Sequence, residues 1–487
     1  MNPDYAGLFH ALRPETSLVV GALIILGLDL SIFRRHTPVE RLNLALWIGA
    51  LAVLAAAAHV WFAPEGPVFG GVLILDKLAM ATRLGVLGLT LLTFGVASAA
   101  PAPRNPAEQV AIILFATTGF LLMAAAQQLL LAFLALELAS LSLYVLAGFD
   151  KTRPESAEAA LKYFLFGGMA AAFLLFGFSL IYGLTGSIEL PQIAGQLFHV
   201  TLSPLLVVAL VMVLVAFGFK AAAAPFHLWA PDVYEGAPTS SAALIASASK
   251  LAGFTLFARL FWREFGAVAG SVSSAHGEPG WLPAVAVIAA VSMLIGNFGA
   301  LAQSNVRRLL AYSAIAHAGN LLLGVIAAGD AGPAPFYYYA ATYGLATVGA
   351  FGVIAVAERA GPCQKITDLA GLHRRSPLLA GCLAVFVLSL AGIPPLAGFF
   401  GKFTVFSAAL QMGGLAGPAG WLAMLAIALS ALALYYYLVI LKQALVAKPA
   451  PDAAPIAVPA IAKLALVLAA GLIVLFGVNP SLLLGLF

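Results

Sequence analysis

Runs of about twenty mainly apolar residues, the length needed to cross the hydrocarbon core of a bilayer as a helix, recur from end to end of this 487-residue chain. Fourteen can be read, near 16–33, 43–62, 77–97, 107–126, 128–148, 160–183, 203–230, 238–262, 281–300, 303–327, 333–358, 377–413, 419–443 and 459–478. They are continuously apolar and rich in Ala and Leu, without the period-two alternation of lipid-facing strands. The expected fold class is therefore all-α, a polytopic membrane protein. One short string, FGGVLIL from Phe69 to Leu75, has strand-like composition and is expected to form a small hairpin before the third helix.

Composition supports the same reading. Hydrophobic residues make up 62% of the chain and charged residues 9%, against about 25% charged in ordinary soluble domains. A soluble multidomain protein and a soluble body on a single anchor are both excluded. The two cysteines, Cys363 and Cys382, are too few for a zinc site, an iron–sulfur site or a disulfide framework. No cleavable signal peptide is expected, because MNPDYAGLFHALRPETS lacks a basic region followed by a short apolar core.

The basic residues are distributed unevenly. Loops after odd-numbered helices hold Arg34, Arg35, Arg41, Arg104, Lys151, Arg153, Arg307, Arg308, Arg359, Lys365, Arg374, Arg375, Lys442 and Lys448, with Lys463 at the boundary. The opposite loops hold only Arg13, Lys77, Arg259 and Arg263. The excess of basic residues on cytoplasmic loops of membrane proteins predicts the first set inside and both termini outside.

Five basic residues remain in or near the helices: Arg83, Lys162, Lys220, Lys250 and Lys402. Glu137 lies within LLLAFLALELASLSLYVL, and Asp29 lies in the first helix. A charge at the helix centre costs roughly 2.5–3.5 kcal/mol on insertion scales. Asp29 and Arg83 lie near helix ends and are expected to snorkel. Glu137, Lys220, Lys250 and Lys402 lie too far from water for that and must face protein or water. Glu137 shares a helix face with Ser140 and Tyr144; Ser247 accompanies Lys250; and Ser313, His317 and Asn320 form a third polar stripe. Three such stripes point to a hydrated interior file suited to proton transfer.

Two segments are interrupted. In VAFGFKAAAAPFHLWAPDVYEGAPT, Pro225 frees the Ala221 carbonyl, and Lys220 stands at the negative end of a half-helix. In LSLAGIPPLAGFFGKFTVF, Pro394 and Pro395 free the carbonyls of Leu390 and Ala391, and Lys402 follows on the second half-helix, nearer its positive end. A difference in proton affinity between the two lysines is expected from those dipoles. Interrupted segments at matching places suggest inverted repeats. The expected division is 1–106 for helices one to three, 107–262 and 281–443 for the repeats of helices four to eight and nine to thirteen, and 444–487 for helix fourteen. No nucleotide-binding glycine loop, Walker lysine or haem-ligand pair occurs, so no redox centre is expected in this chain.

PFHLWAPDVYEGAPT (225–239) followed by SASK ending at Lys250, LALELASLSLYVLAGF (134–149), ALKYFLFGG (160–168), LLAYSAIAHAGN (309–320) and LAGIPPLAGFFGKF (390–403) together resemble the N-type subunits of proton-pumping NADH–quinone oxidoreductase, respiratory complex I. PDVYEGAPT is specific to that subunit, whereas PFHxWxP is shared with the wider antiporter-like family. The resemblance implies a translocase subunit in a bacterial inner membrane, beside an M-type antiporter-like subunit and small K- and J-type subunits. NAD, FMN, iron–sulfur clusters and quinone would be bound by partner subunits and no cofactor by this chain. Carried over residue by residue, it makes Glu137 and Lys220 the coupling pair, Lys250 the central relay and Lys402 the terminal one. Lys162, His227 and His317 match less certain participants. A signal from quinone reduction would loosen the Glu137–Lys220 pair and send a proton toward Lys250 and Lys402. Two other readings remain, a stand-alone Mrp-type Na⁺(K⁺)/H⁺ antiporter and a structural scaffold with vestigial charges.

Overall fold

The computed structural model describes residues 5–272, 278–415, 417–449 and 453–487; the first four residues of the N-terminal string weighed above as a leader lie outside them. In chain order the helices are α1 (Tyr5–Ala11), α2 (Arg13–Ser31), α3 (Pro38–Trp61), α4 (Lys77–Ala99), α5 (Pro106–Ala125), α6 (Leu129–Ala147) and α7 (Pro154–Thr185). Then come α8 (Leu190–Leu197), α9 (Pro204–Ala221), α10 (Trp229–Gly236), α11 (Thr239–Ala246), α12 (Ala248–Ala258), α13 (Trp281–Leu301) and α14 (Val306–Ala331). The last are α15 (Ala334–Ala357), α16 (Leu372–Arg375), α17 (Pro377–Ala391), α18 (Ala397–Gly413), α19 (Pro418–Leu445), α20 (Ala460–Val478) and α21 (Ser481–Leu484). Among the described residues, 13 helical spans are long and apolar enough to cross a membrane. The split pair α17 and α18 occupies the segment read at 377–413.

Helix starts follow ordinary capping chemistry. Thr37 and Glu40 form a reciprocal capping box at α3, Asp76 accepts the Ala79 N–H of α4, and Asn305 accepts the N–H groups of Arg307 and Arg308 at α14. Proline fills the first helical position of α3, α5, α7, α9, α17 and α19, where its missing N–H costs nothing. The expected hairpin is present but displaced: β1 (Gly66–Val68) pairs with β2 (Leu73–Leu75), and Phe69–Gly71 form the turn between them. Gly70 and Gly71 supply the left-handed backbone there, at φ 67° and 91°.

The centre of the bundle is α11, α12, α14 and α15. Thr239–Phe261 is buried along its whole length, and every residue of α15 from Phe336 to Ala357 is buried. Helices α2, α3, α7 and α20 instead present large apolar side chains outward, among them Leu23, Trp47, Leu165 and Leu464. This arrangement of lipid-type surface around a closed centre suits a helical membrane protein.

Two expectations about boundary charges are corrected. Arg83 does not snorkel: it is 1% exposed and bonds Glu15 at 2.5 Å, across from α4 to α2. Asp29 is also buried, gripped by Arg41 through Nε at 2.8 Å and Nη2 at 2.5 Å. A buried charge that cannot reach water requires an opposite partner, and both have one.

Candidate functional site

Both interrupted segments break by the same local device. Helix α9 ends at Ala221, Ala222 turns left-handed at φ 56°, and the Ala223 N–H bonds the Gly218 carbonyl. Helix α17 ends at Ala391, Gly392 turns left-handed at φ 87°, and the Ile393 N–H bonds the Leu388 carbonyl. These are Schellman-type ends, which satisfy the last carbonyls and turn the chain away. In each, a cis proline, Pro225 or Pro395, follows three residues after the left-handed one. A third discontinuity was not read from the sequence: Ser247, at φ −117° and ψ −84°, separates α11 from α12 three residues before Lys250. The string SASK (247–250) is its sequence signal.

The breaks set the positions of the amines. Lys220, in the last turn of α9, donates to Ser140 Oγ of α6 at 3.2 Å. Ser140 lies one turn from Glu137, and among the described residues no ion pair closes between Glu137 and Lys220; the Glu137 Oε1 atom is buried without a partner. The expected direct pair at about 4 Å is therefore not closed: the Lys220 amine is bonded to Ser140 on the helix that carries Glu137. Lys250 donates to the Ala314 carbonyl of α14 at 2.6 Å and stands 5.5 Å over the Tyr343 ring of α15. The Ser247 hydroxyl, expected beside it, donates to the Ala243 carbonyl one turn back. Lys402 folds back from α18 to donate to the Ala391 carbonyl at 2.9 Å. It thus lies at the negative end of α17, not near a positive end, which removes the dipole argument for unequal proton affinity.

Between Lys250 and Lys402 lies a set of tyrosines around one histidine. The His317 ring is 4.9 Å from the Tyr343 ring, with Nδ1 2.6 Å from the Tyr339 hydroxyl and Nε2 3.1 Å from the Tyr437 hydroxyl. Asn320 also donates to the Tyr339 hydroxyl, and Ser313 bonds Tyr437. A Cβ added at Gly401 would lie 2.7 Å from Tyr339 Cδ2, so the glycine lets α18 bring Lys402 against this helix. The expected stripe of Ser313, His317 and Asn320 thus faces one site. Its tyrosine partners, Tyr339, Tyr343 and Tyr437, were missed, although the strings FYYYAATY and LYYYL within apolar segments mark them.

Of the less certain participants, His317 lies in this set, whereas Lys162 and His227 lie elsewhere. Lys162 is partly exposed and bonds Glu158 and Asp232, each at 2.6 Å. Asp232 also receives Arg308 at 2.7 Å, and Arg308 reaches Glu235 at 2.8 Å. Burial pushes the Asp232 carboxyl up, but Lys162 and Arg308 outweigh it and hold the group below the ordinary aspartate range. His227 lies on the linker between α9 and α10, buried, with Nδ1 lacking a partner. Neither residue is in hydrogen-bond contact with the lysine–tyrosine–histidine set.

Chemically, the set can store and pass protons. Each amine has protein donors or acceptors beside it, and a neutral imidazole between two hydroxyls can accept at one nitrogen while releasing at the other. Residues 126–432 match the sequence profile of the family described as "NADH:quinone oxidoreductase/Mrp antiporter, TM". The chain is 46% identical to NADH-quinone oxidoreductase subunit N 2 of Acidobacterium capsulatum over 99% of both chains. It is 40% identical to NADH-quinone oxidoreductase subunit N of Anaeromyxobacter sp., covering 91% of this chain and 88% of the relative. Its fold matches a chain of respiratory complex I from Thermus thermophilus with bound aureothin at TM-score 0.78 and 34% identity, over 97% and 98% of the two chains. A chain of the Mrp complex from Dietzia sp. shares the fold at TM-score 0.79 and 22% identity, over 97% and 96%. The buried amines, the paired helix breaks and these likenesses agree: the chain belongs to the NADH:quinone oxidoreductase/Mrp antiporter family of membrane proteins, on the branch of the N subunits.

Proposed function

We propose that this chain is the proton-translocating N subunit of an NADH–quinone oxidoreductase, moving H⁺ along the file Glu137, Lys220, Lys250, His317 and Lys402. The observation that carries the proposal is the run of contacts from Lys250 over Tyr343 to His317, and through the Tyr339 and Tyr437 hydroxyls to the helix face beside Lys402. Ser140 joins the Lys220 end of the file to the helix that carries Glu137. Lysine in a low-dielectric site is readily shifted between protonation states, so a change in field at one end can displace a proton at the next. Lys162 and His227 stand outside the file, and no transfer step is assigned to them.

In this reading quinone reduction happens in partner subunits, which bind NAD, FMN, iron–sulfur clusters and quinone. The neighbours are M-type and small K- and J-type membrane-arm subunits. Residues 107–262 and 281–443 are the two inverted repeats, supported by the matching breaks after Ala221 and Ala391. The chain is placed in a bacterial inner membrane with its Arg/Lys-rich end toward the cytoplasm and both termini outside, by the basic-residue count.

The test is Lys250→Ala in the assembled complex. Proton pumping per NADH oxidised should fall strongly, while NADH oxidation by an artificial electron acceptor persists. Normal pumping in fully assembled mutant complex overturns the role. A stand-alone Na⁺(K⁺)/H⁺ antiporter is separated by purifying the chain alone into vesicles, where cation-driven H⁺ exchange would favour it. The scaffold reading requires that neutralised lysines alter assembly but leave the proton-to-electron ratio unchanged.

A further inference from the structure

We propose that α4 is a ruler for the central lysine: Asp76 and Thr82 are positioning residues that set the axial register of the half-helix α12, and with it the reach of Lys250 to its partners. The inference rests on the proton-relay reading above and adds residues from outside the file on which its geometry depends. The need for a ruler comes from the break at Ser247. That residue, at φ −117° and ψ −84°, separates α12 from α11, so α11 does not dictate how far along, or at what rotation, α12 sits. Most of α12 is Leu, Ala and Phe, and apolar contact is non-directional.

Polar contacts with α4 supply the missing definition. Asp76 caps the start of α4, and α12 continues at its far end into a π-helical turn (Arg259–Glu264). There Arg259 donates to both carboxylate oxygens of Asp76, from Nη1 at 2.9 Å and from Nη2 at 2.8 Å. One turn back toward Lys250, the Thr255 hydroxyl bonds that of Thr82 at 3.0 Å, and both side chains are fully buried. Another turn back, Leu251 packs on Gly85, where an added Cβ would lie 2.9 Å from Leu251 Cδ2. Arg259, Thr255 and Leu251 are spaced four apart, so they share one face of α12 and meet α4 in antiparallel order. Contacts at three levels fix translation and rotation together, and Lys250 is the next residue.

The ruler is itself held. Arg83 bonds Glu15 of α2 at 2.5 Å, and the Thr90 hydroxyl bonds that of Thr117 of α5 at 3.1 Å. It is also tied to the helix that faces Lys250: the Tyr337 hydroxyl donates to the Ala81 carbonyl at 2.6 Å, and Tyr343 lies six residues on along α15. A single turn of α4 therefore references both the lysine and the ring 5.5 Å from its amine. In positioned reactions a misplacement of about 1 Å costs up to about 100-fold in rate. A lost contact on the ruler should thus be felt at the Lys250 amine, which the Ala314 carbonyl now holds at 2.6 Å.

Titratable neighbours of Lys250 are Tyr343 of α15, His317 beyond it, and Lys220 of α9, whose stem lies against Gly253. Helix α6, which carries Glu137, also packs on α12, and α4 turns its Arg83 to Glu15. Thr82 does not titrate, so a changed pH profile in its variants reports a displaced lysine. In the assembled complex, Thr82→Val should lower proton pumping per NADH oxidised and shift the pH at which pumping is half-maximal. Thr82→Ser, which keeps the hydroxyl, should restore both. Thr255→Val should reproduce the shift, and the double variant should show no more than either single one. Reduced thermal stability with pumping and pH profile unchanged in Thr82→Val would mean that the contact only holds the fold, and overturns the proposal; so does failure of serine to rescue. A cryo-EM map of the wild-type complex gives a readout free of variants. Hydroxyls of Thr82 and Thr255 in hydrogen-bond contact support the ruler, and an α12 slipped against α4 overturns it. Pumping that survives Lys250→Ala would remove the relay, whereas a wild-type profile in Thr82→Val with an intact Lys250 effect would remove only the ruler.

Discussion

His317 is held at both ring nitrogens by tyrosine hydroxyls, Tyr339 at Nδ1 and Tyr437 at Nε2. In the neutral ring one nitrogen donates and the other accepts, so a proton that enters on one side leaves the ring in its other tautomer. Resetting then depends on both hydroxyls, not on the histidine alone. Tyr437→Phe should therefore impair pumping while leaving the histidine in place, and its effect should be strongly non-additive with His317→Phe. Proton-to-electron ratios of the two single variants and the double variant, in assembled complex, check this. A double variant showing the full sum of the two losses would mean that the residues act independently. Burial explains why the tyrosines matter at all: His317, Tyr339 and Tyr437 are all buried, so the ring meets protein hydroxyls in place of bulk water.

At the scale of an element, the two breaks resemble each other in geometry but differ in residue. Gly392 takes its left-handed φ of 87° freely, whereas Ala222 holds φ 56° with a Cβ. Ala222→Gly should stabilise the subunit by about 1 kcal/mol, the usual cost of a left-handed L residue, and leave pumping unchanged. Gly392→Ala should do the reverse, because its Cβ would lie 3.0 Å from Lys402 Cδ as well as in a strained conformation. Thermal unfolding and pumping of the two variants distinguish them, and a Gly392→Ala complex with normal stability and pumping would contradict the packing. The short helix α10 makes a further case: Asp232 ties it to Lys162 of α7 and Arg308 of α14. Because the Asp232 carboxyl is held below its usual range, its contribution is complete above about pH 4 and is lost as pH falls through the lowered value. These groups are partly exposed, so Asp232→Asn should cost no more than about 1 kcal/mol. That difference should be present at pH 7 and vanish in acid, as read by thermal unfolding of wild type and variant across pH.

For the whole molecule, what was legible in the sequence is what oil enforces. Span length, helical class and the interior placement of Lys220, Lys250 and Lys402 follow from the cost of exposing backbone or charge to hydrocarbon, which leaves few alternatives. The partners of those charges were not legible, since pairing across helices depends on packing that no periodicity reports. Arg83 thus bonds Glu15 instead of snorkelling, Lys402 bonds Ala391, and Ser140 intervenes at Lys220. The tyrosines around His317 come from α15 and α19, far apart in sequence. Orientation is the remaining property that belongs to the molecule as a whole, and it rests on the sum of its loops: fifteen basic residues against four. Lys151 and Lys448 stand on the crowded side, and Glu65, beside the hairpin, stands on the other. Both native cysteines are buried, so a cysteine placed at any of these positions should react first with a membrane-impermeant thiol reagent. Lys151→Cys and Lys448→Cys should label only from the cytoplasmic face of sealed vesicles, and Glu65→Cys only from the outer face. The opposite pattern would invert the molecule, and with it the side that the Arg/Lys-rich loops face.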